Sequence, residues 1–229
     1  MKWTIPNVLT TLRLLAAPGV AVMFLYFVRP YADWFAMLLF VGAAITDYFD
    51  GYLARLWKQE SRFGAMLDPI ADKAMVVIAL LVIVGISGVP GHSGMNPWIL
   101  LPATVIIFRE IFVSGLREFL QEKSSLLAVT HLAKYKTFAQ MIAMTFLFST
   151  GIFEHSFLDR TIGMDDFVVS QIMSGQLPDD VGLIWYSTAA WWSWWIGTVL
   201  LWIAAALTLV TGLDYFIKSL PFFRDEGQQ

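Results

Sequence analysis

Cysteine is absent from all 229 residues, which excludes a disulfide framework, thiolate metal sites and thiol chemistry together. Charge is scarce too. Only 14% of residues are Asp, Glu, Lys or Arg, against about 25% in an average soluble domain. There is no cleavable signal pattern: Lys2 is the only cation before Arg13, and no small-residue cleavage site follows the first apolar run. No internal repeat or low-complexity tract is visible, and nothing calls for a nucleic-acid partner. The net charge of −3 says little by itself, because distribution matters more here than the sum.

What is abundant is hydrophobic surface, at 58% of residues with 15% aromatic, arranged in long uninterrupted runs that a soluble core does not need. The expectation is an all-α integral membrane bundle, one domain over residues 1–229, with about six transmembrane helices. The spans fall at about 8–28, 34–55, 63–87, 98–119, 132–153 and 187–217. The first follows a break at Pro6-Asn7, and Pro18-Gly19 should loosen it. A Gly- and Pro-rich turn occupies 88–96. Residues 154–186 are acidic and not hydrophobic enough to span, so they read as an external loop.

Orientation follows from Lys and Arg. With both termini cytoplasmic, Lys2, Arg13, Arg55, Lys58, Arg62, Lys73, Arg117, Lys123, Lys134, Lys136, Lys218 and Arg224 lie at or near the inner side. Only Arg29 and Arg160 lie outside, together with the acidic loop, and Arg109 sits within the fourth span.

Four carboxylates stand out against this background. Asp47 and Asp50 close one apolar run, and Asp68 and Asp72 open the next. Spacings of three and four put each pair on one helical face. A charge deep in a spanning helix costs roughly 2.5–3.5 kcal/mol, so four would cost about 10 kcal/mol unless they face water, metal or each other. Hard oxygen ligands facing one space suit Mg²⁺, Mn²⁺ or Ca²⁺. In the expected topology this group lies toward the cytoplasmic side.

The full pattern is Asp47-x2-Asp50-Gly51-x2-Ala54-Arg55-x8-Gly64-x3-Asp68-x3-Asp72. It resembles the signature of the CDP-alcohol phosphatidyltransferase family at every fixed position. The resemblance continues in IPNVLTTLR (residues 5–13), FREIFVSGLRE (108–118), KYKTFAQM (134–141) and TLVTGLDYF (208–216), where it is to bacterial members that use glycerol 3-phosphate. Residues 154–186 have no counterpart in it. The resemblance implies a bacterial inner-membrane enzyme with its site facing the cytoplasm, and homodimers among membrane lipids. The reaction it implies moves a phosphatidyl group from CDP-diacylglycerol to the primary hydroxyl of sn-glycerol 3-phosphate, releasing CMP.

By the same resemblance, Asp47, Asp50, Asp68 and Asp72 hold two divalent cations, Mg²⁺ or Mn²⁺, and Asp72 also takes the proton from the attacking hydroxyl. Gly51, Ala54 and Gly64 leave room for the nucleotide, and Arg55 meets its phosphate or cytidine end. Asn7, Thr10 and Arg13, on one stripe by their spacing, line the nucleotide end; a plainer use is that Asn7 caps its helix and Thr10 bonds its own backbone. The acceptor's dianion calls for cations. Arg109 and Arg117, about 80° apart on the fourth helix, can border one cavity, with Lys134 and Lys136 opening the fifth. Arg117, Lys134 and Lys136 are also what positive-inside flanking would supply, and Arg109 could instead pair with Glu110.

Other features take plain readings. Trp191–Trp195 fits an interfacial aromatic belt, and His92, His131 and His155 lack metal-ligand spacing. Two rivals remain. One keeps the chemistry with another acceptor: inositol phosphate, phosphatidylglycerol or serine. The other is an ion-coupled transporter, which would carry inverted repeats and discontinuous spans.

Overall fold

A chain this apolar must satisfy its backbone polar groups within itself, because lipid offers no hydrogen bonds, and continuous helices do so. The structure, a computed structural model, describes residues 5–57, 62–88, 94–120 and 131–224. Among the described residues the secondary structure is seven helices and no strand. They are α1 (Ile5–Tyr26), α2 (Tyr31–Trp57), α3 (Arg62–Ile86), α4 (Pro97–Leu120), α5 (His131–Thr161), α6 (Asp166–Met173) and α7 (Leu183–Arg224).

Five of them, α1, α3, α4, α5 and α7, are long and apolar enough to cross a bilayer. The second expected span, α2, has ample length at 27 residues, about 40 Å. It also carries Asp33, Asp47, Asp50 and Arg55, and most of its side chains beyond Asp47 lie outside the described residues. The chain is thus a multi-pass, all-helical membrane protein.

Three boundaries differ from the sequence expectation. Helix α1 starts at Ile5, so Pro6-Asn7 is no break; proline in a first turn forfeits only an N–H that has no helical partner. Residues 154–186 are not one loop, since α5 runs on to Thr161 and α6 follows. Helix α7 reaches 42 residues, about 63 Å and twice the roughly 30 Å hydrocarbon layer. Hydrophobicity marks where a helix leaves lipid, not where its hydrogen bonding stops.

Two compact units emerge, one of residues Met1–Ile83 with Met144–Gly197, the other of Val84–Ala143 with Thr198–Gln229. In the first unit α1 packs on α2 through small residues. Ala17, Ala32 and Ala36 are wholly buried, and Gly19 lets Leu39 approach to 3.5 Å of where a Cβ would stand. Lipid gives no hydrophobic drive between helices, so close approach and polar contacts must supply the association. Phe148 of α5 fills the gap, with ring centroids 6.5 Å from Phe24 and 6.1 Å from Phe40.

An ion pair also sits in this unit. Arg29 donates from Nε and a terminal nitrogen to the two oxygens of Asp33, each at 2.8 Å. Asp33 is fully buried and lies against Gly151 of α5, where a Cβ would be 2.1 Å from its Oδ1.

The segment between α5 and α7 is held by polar caps. Asp165 accepts from the Phe167 N–H at the start of α6. Asp179 accepts from Leu183 N–H at 2.7 Å and Ile184 N–H at 2.9 Å, capping α7. The preceding Gly182 has φ +76°, a left-handed turn that costs glycine least. Arg160 donates to the Val181 carbonyl and to the Tyr186 hydroxyl, each at 3.0 Å.

In the second unit α4 and α7 meet along an aromatic and aliphatic seam. Trp202 donates its indole N–H to the Trp98 carbonyl at 3.0 Å, Phe112 and Phe216 lie 5.8 Å apart, and Val113, Leu120 and Tyr215 form a buried cluster.

Candidate active site

Two groups of charged side chains stand out among the described residues, one in each unit. In the first, α1 brings a buried polar stripe to the carboxylates of α2 and α3. Asn7, Thr10 and Arg13 are each no more than 3% exposed. Thr10 donates its hydroxyl to Asp68 Oδ1 at 2.8 Å. One terminal nitrogen of Arg13 donates to both Asp47 and Asp72, the latter at 2.8 Å. Three carboxylates from two helices are thereby tied to one face of α1, and Asp47 and Asp72 share a single cationic nitrogen. A low-dielectric setting makes such charge-assisted bonds shorter and stronger than neutral ones.

The side chains remain unequal in exposure. Arg13 is 2% exposed, whereas Asp47 and Asp72 keep 44% and 52%. The carboxylates therefore present their free edges outward while the arginine stays beneath. Gly64 is buried. Asp50, Gly51, Ala54 and Arg55 fall on α2, but the Asp50, Ala54 and Arg55 side chains lie outside the described residues.

The stripe also corrects one alternative. Thr10 reaches across to Asp68, and its neighbour Thr11 bonds back to its own helix, donating to the Asn7 carbonyl at 2.8 Å. Asn7 lies inside the first turns of α1 rather than capping it.

Among the described residues no three His, Asp or Glu side chains form a ready metal-binding group. The donor set itself nevertheless fits a hard divalent cation. It consists of carboxylate oxygens only, it is free of softer ligands, and two of its members already converge on one positive nitrogen.

The second group lies on α4, α5 and α7. Glu110 accepts from Arg109 at 3.2 Å and from Lys136, with the three side chains only 7–15% exposed. Arg109 also donates to the Thr211 hydroxyl at 3.3 Å. Arg117 donates to the Tyr215 hydroxyl at 2.8 Å, and both guanidinium groups lie over the Tyr215 ring, at 5.8 and 5.2 Å from its centroid. The group thus holds three cations and one paired carboxylate, and the Nε of Arg109 is buried without a partner. Positive charge in excess, with a spare donor, is the makeup of an anion site.

Arg109, Arg117 and Lys136 come together as the sequence suggested; the Lys134 side chain lies outside the described residues. Glu110, Thr211 and Tyr215 were not expected as site residues. Tyr215 and Thr211 lie within TLVTGLDYF, quoted above for resemblance alone. One i, i+4 step of α7 separates them, and that spacing was the available signal.

Comparison with known proteins identifies the family. The family model for CDP-alcohol phosphatidyltransferase matches residues 3–210. A Cereibacter sphaeroides protein named CDP-diacylglycerol–glycerol-3-phosphate 3-phosphatidyltransferase is 60% identical over 227 residues, 99% of this chain and 100% of its own. Proteins of the same name from Pectobacterium atrosepticum and Escherichia coli K12 are 46% and 43% identical over 146 and 149 residues. These cover 63% and 64% of this chain and 76% and 78% of their own. The Cereibacter alignment spans nearly the whole chain, so residues 154–186, unmatched in the sequence reading, have a counterpart there.

Proposed function

Because the chain belongs to the CDP-alcohol phosphatidyltransferase family, we propose that it transfers the phosphatidyl group of CDP-diacylglycerol to sn-glycerol 3-phosphate. The products are phosphatidylglycerol phosphate and CMP. The observation that carries the acceptor assignment is identity of 60% over essentially the full length to a protein named for that activity. The carboxylate group and the cationic group supply what the two substrates require.

Asp47, Asp68 and Asp72, joined by Asp50, are the residues that would hold divalent cations, Mg²⁺ or Mn²⁺. Bound there, a divalent cation neutralises the donor's pyrophosphate and stabilises the departing CMP. The protein's own part is positioning and proton transfer. The acceptor's primary hydroxyl attacks the lipid-side phosphorus, the bond from that phosphorus to the CMP oxygen breaks, and Asp72 Oδ receives the hydroxyl proton. Arg13 orients Asp72 and Asp47 through one nitrogen, and Thr10 orients Asp68. Gly51, Ala54, Gly64, Arg55 and Asn7 border the nucleotide. Arg109, Arg117, Lys134 and Lys136 take the acceptor's phosphate, whose two negative charges match the excess of cations over Glu110.

The enzyme works as a homodimer in the bacterial inner membrane, with its site on the cytoplasmic side, where both polar substrates are found. A serine acceptor has no phosphate and would leave the cationic group without a purpose. Transport is disfavoured by the lack of inverted repeats in the sequence.

The test is CMP release from CDP-diacylglycerol by purified protein with Mg²⁺, offering glycerol 3-phosphate, inositol phosphate and serine separately. Release with glycerol 3-phosphate alone, lost in Asp72→Asn, is the expected result. Release with a different acceptor alone would overturn the acceptor assignment, and no release with any would overturn the transferase reading.

A further inference from the structure

Arg109 and Arg117 stand eight residues apart on α4, about 12 Å in helical rise and 80° in azimuth. Nothing in α4 itself aims them at one place. A single side chain of α7 touches both. Tyr215 is 4% exposed and packs with Val113 and Leu120, so its ring is fixed by neighbours on α4. Arg109 and Arg117 each lie over that ring, and the ring's hydroxyl accepts from Arg117 at 2.8 Å.

One turn earlier on α7, Thr211 accepts from Arg109. Beside it Gly212 leaves room for the Arg109 stem, for a Cβ there would be 2.9 Å from Arg109 Cγ. The strip Thr211, Gly212 and Tyr215 is therefore shaped to seat both arginines.

The chemistry of this seat matters more than its shape. A carboxylate would hold a guanidinium just as firmly but would cancel its charge. An aromatic face and a neutral hydroxyl hold it by quadrupole and hydrogen bond and leave the full positive charge available. Among the described residues Glu110 is the only carboxylate paired within the group, and Arg117 has Tyr215 in place of one.

We propose that Tyr215 is a positioning residue for the acceptor phosphate, a neutral clamp that aims Arg109 and Arg117 at one anion without neutralising either. The proposal rests on the acceptor reading above. Its role is exerted through the arginines, so it governs affinity for the phosphate-bearing acceptor and not the phosphoryl chemistry.

The experiment uses the full chain purified in detergent, with three readouts: calorimetric binding of glycerol 3-phosphate, CMP-release kinetics and thermal unfolding. Tyr215→Phe keeps the ring and loses the hydroxyl. It should raise Kd and KM for glycerol 3-phosphate about fivefold, the equivalent of one net hydrogen bond. Tyr215→Leu loses both cation–π contacts as well and should raise them about fiftyfold. For the Phe variant, kcat, KM for CDP-diacylglycerol and the unfolding temperature should stay within error to twofold of the parent.

Wild-type affinity for glycerol 3-phosphate in both variants would overturn the proposal. So would a parallel fall of kcat, both KM values and unfolding temperature in Tyr215→Phe, which is the mark of mere packing. If the parent binds glycerol 3-phosphate without releasing CMP while the variants weaken as expected, the clamp stands and the transferase reading falls. A parent that binds no glycerol 3-phosphate overturns both.

Discussion

Gly151 offers the sharpest structural test. An alanine Cβ at this position would stand 2.1 Å from Asp33 Oδ1, 2.3 Å from an Arg29 terminal nitrogen and 2.8 Å from Asp33 Cγ. Ordinary contact begins near 3.5–4.0 Å, so the overlap exceeds 1 Å on atoms that cannot swing away, since Asp33 is fully buried and held at both oxygens. Either α5 retreats from α2, or the fork opens and leaves a buried carboxylate poorly paired. Breaking a buried pair outright costs about 3–5 kcal/mol. Arg29 is one quarter exposed, so water recovers part of that, and alanine's better helix propensity returns up to about 1 kcal/mol. The expected net loss is about 2–3 kcal/mol, read by denaturant unfolding of purified protein. Gly42→Ala, where nothing lies within 4 Å, is the control and should be neutral or slightly stabilising. In an Asp33→Ala background the Gly151→Ala penalty should largely vanish, because both Asp33 atoms are gone and the one-quarter-exposed Arg29, no longer held by a carboxylate, can swing its terminal nitrogen aside. Equal stability of Gly151→Ala and wild type, or an undiminished penalty in the double variant, would refute the reasoning.

Gly212→Ala should push the Arg109 stem off its seat and raise KM for glycerol 3-phosphate about tenfold, with kcat changed far less, measured by CMP release. Thr10→Val removes the hydroxyl that fixes Asp68. One net hydrogen bond is about 1 kcal/mol, so activity should fall roughly fivefold and the Mg²⁺ concentration for half-maximal rate should rise. Desolvation would raise the Asp179 pKa, but hydrogen bonds from the backbone N–H groups of Ile184, Leu183, Gly182 and Val181 outweigh it and hold the carboxyl below its ordinary value. A depressed folded pKa stabilises above the unfolded value of about 3.9, and that contribution disappears as pH falls further, through the folded pKa. Exchange of the Leu183 and Ile184 amides should accordingly accelerate below about pH 4, and in Asp179→Ala it should be fast throughout.

Much of this protein is written along the chain. Apolar runs and the missing charge declare membrane helices, because lipid penalises unpaired backbone and exposed charge wherever they occur. The carboxylates of α2 and α3 are legible by spacing and by their cost in an apolar setting. Arg109 is legible for the same reason, as a cation placed in mid-span. Helix ends are less so: α5 and α7 continue beyond their apolar stretches, since backbone hydrogen bonding persists in water once a helix is nucleated.

Tertiary structure decided which side chains share a partner. That Arg13 joins Asp47 and Asp72, or that Thr10 and not Thr11 reaches Asp68, depends on how α1 is rotated against α2 and α3. Tyr215 beneath two arginines, and Gly151 under a buried ion pair, likewise join residues many positions apart in sequence. Periodicity fixes which residues of one helix share a face. The facing of one helix toward another is set by close packing of small and aromatic side chains from several segments at once, and no single stretch of sequence contains that information.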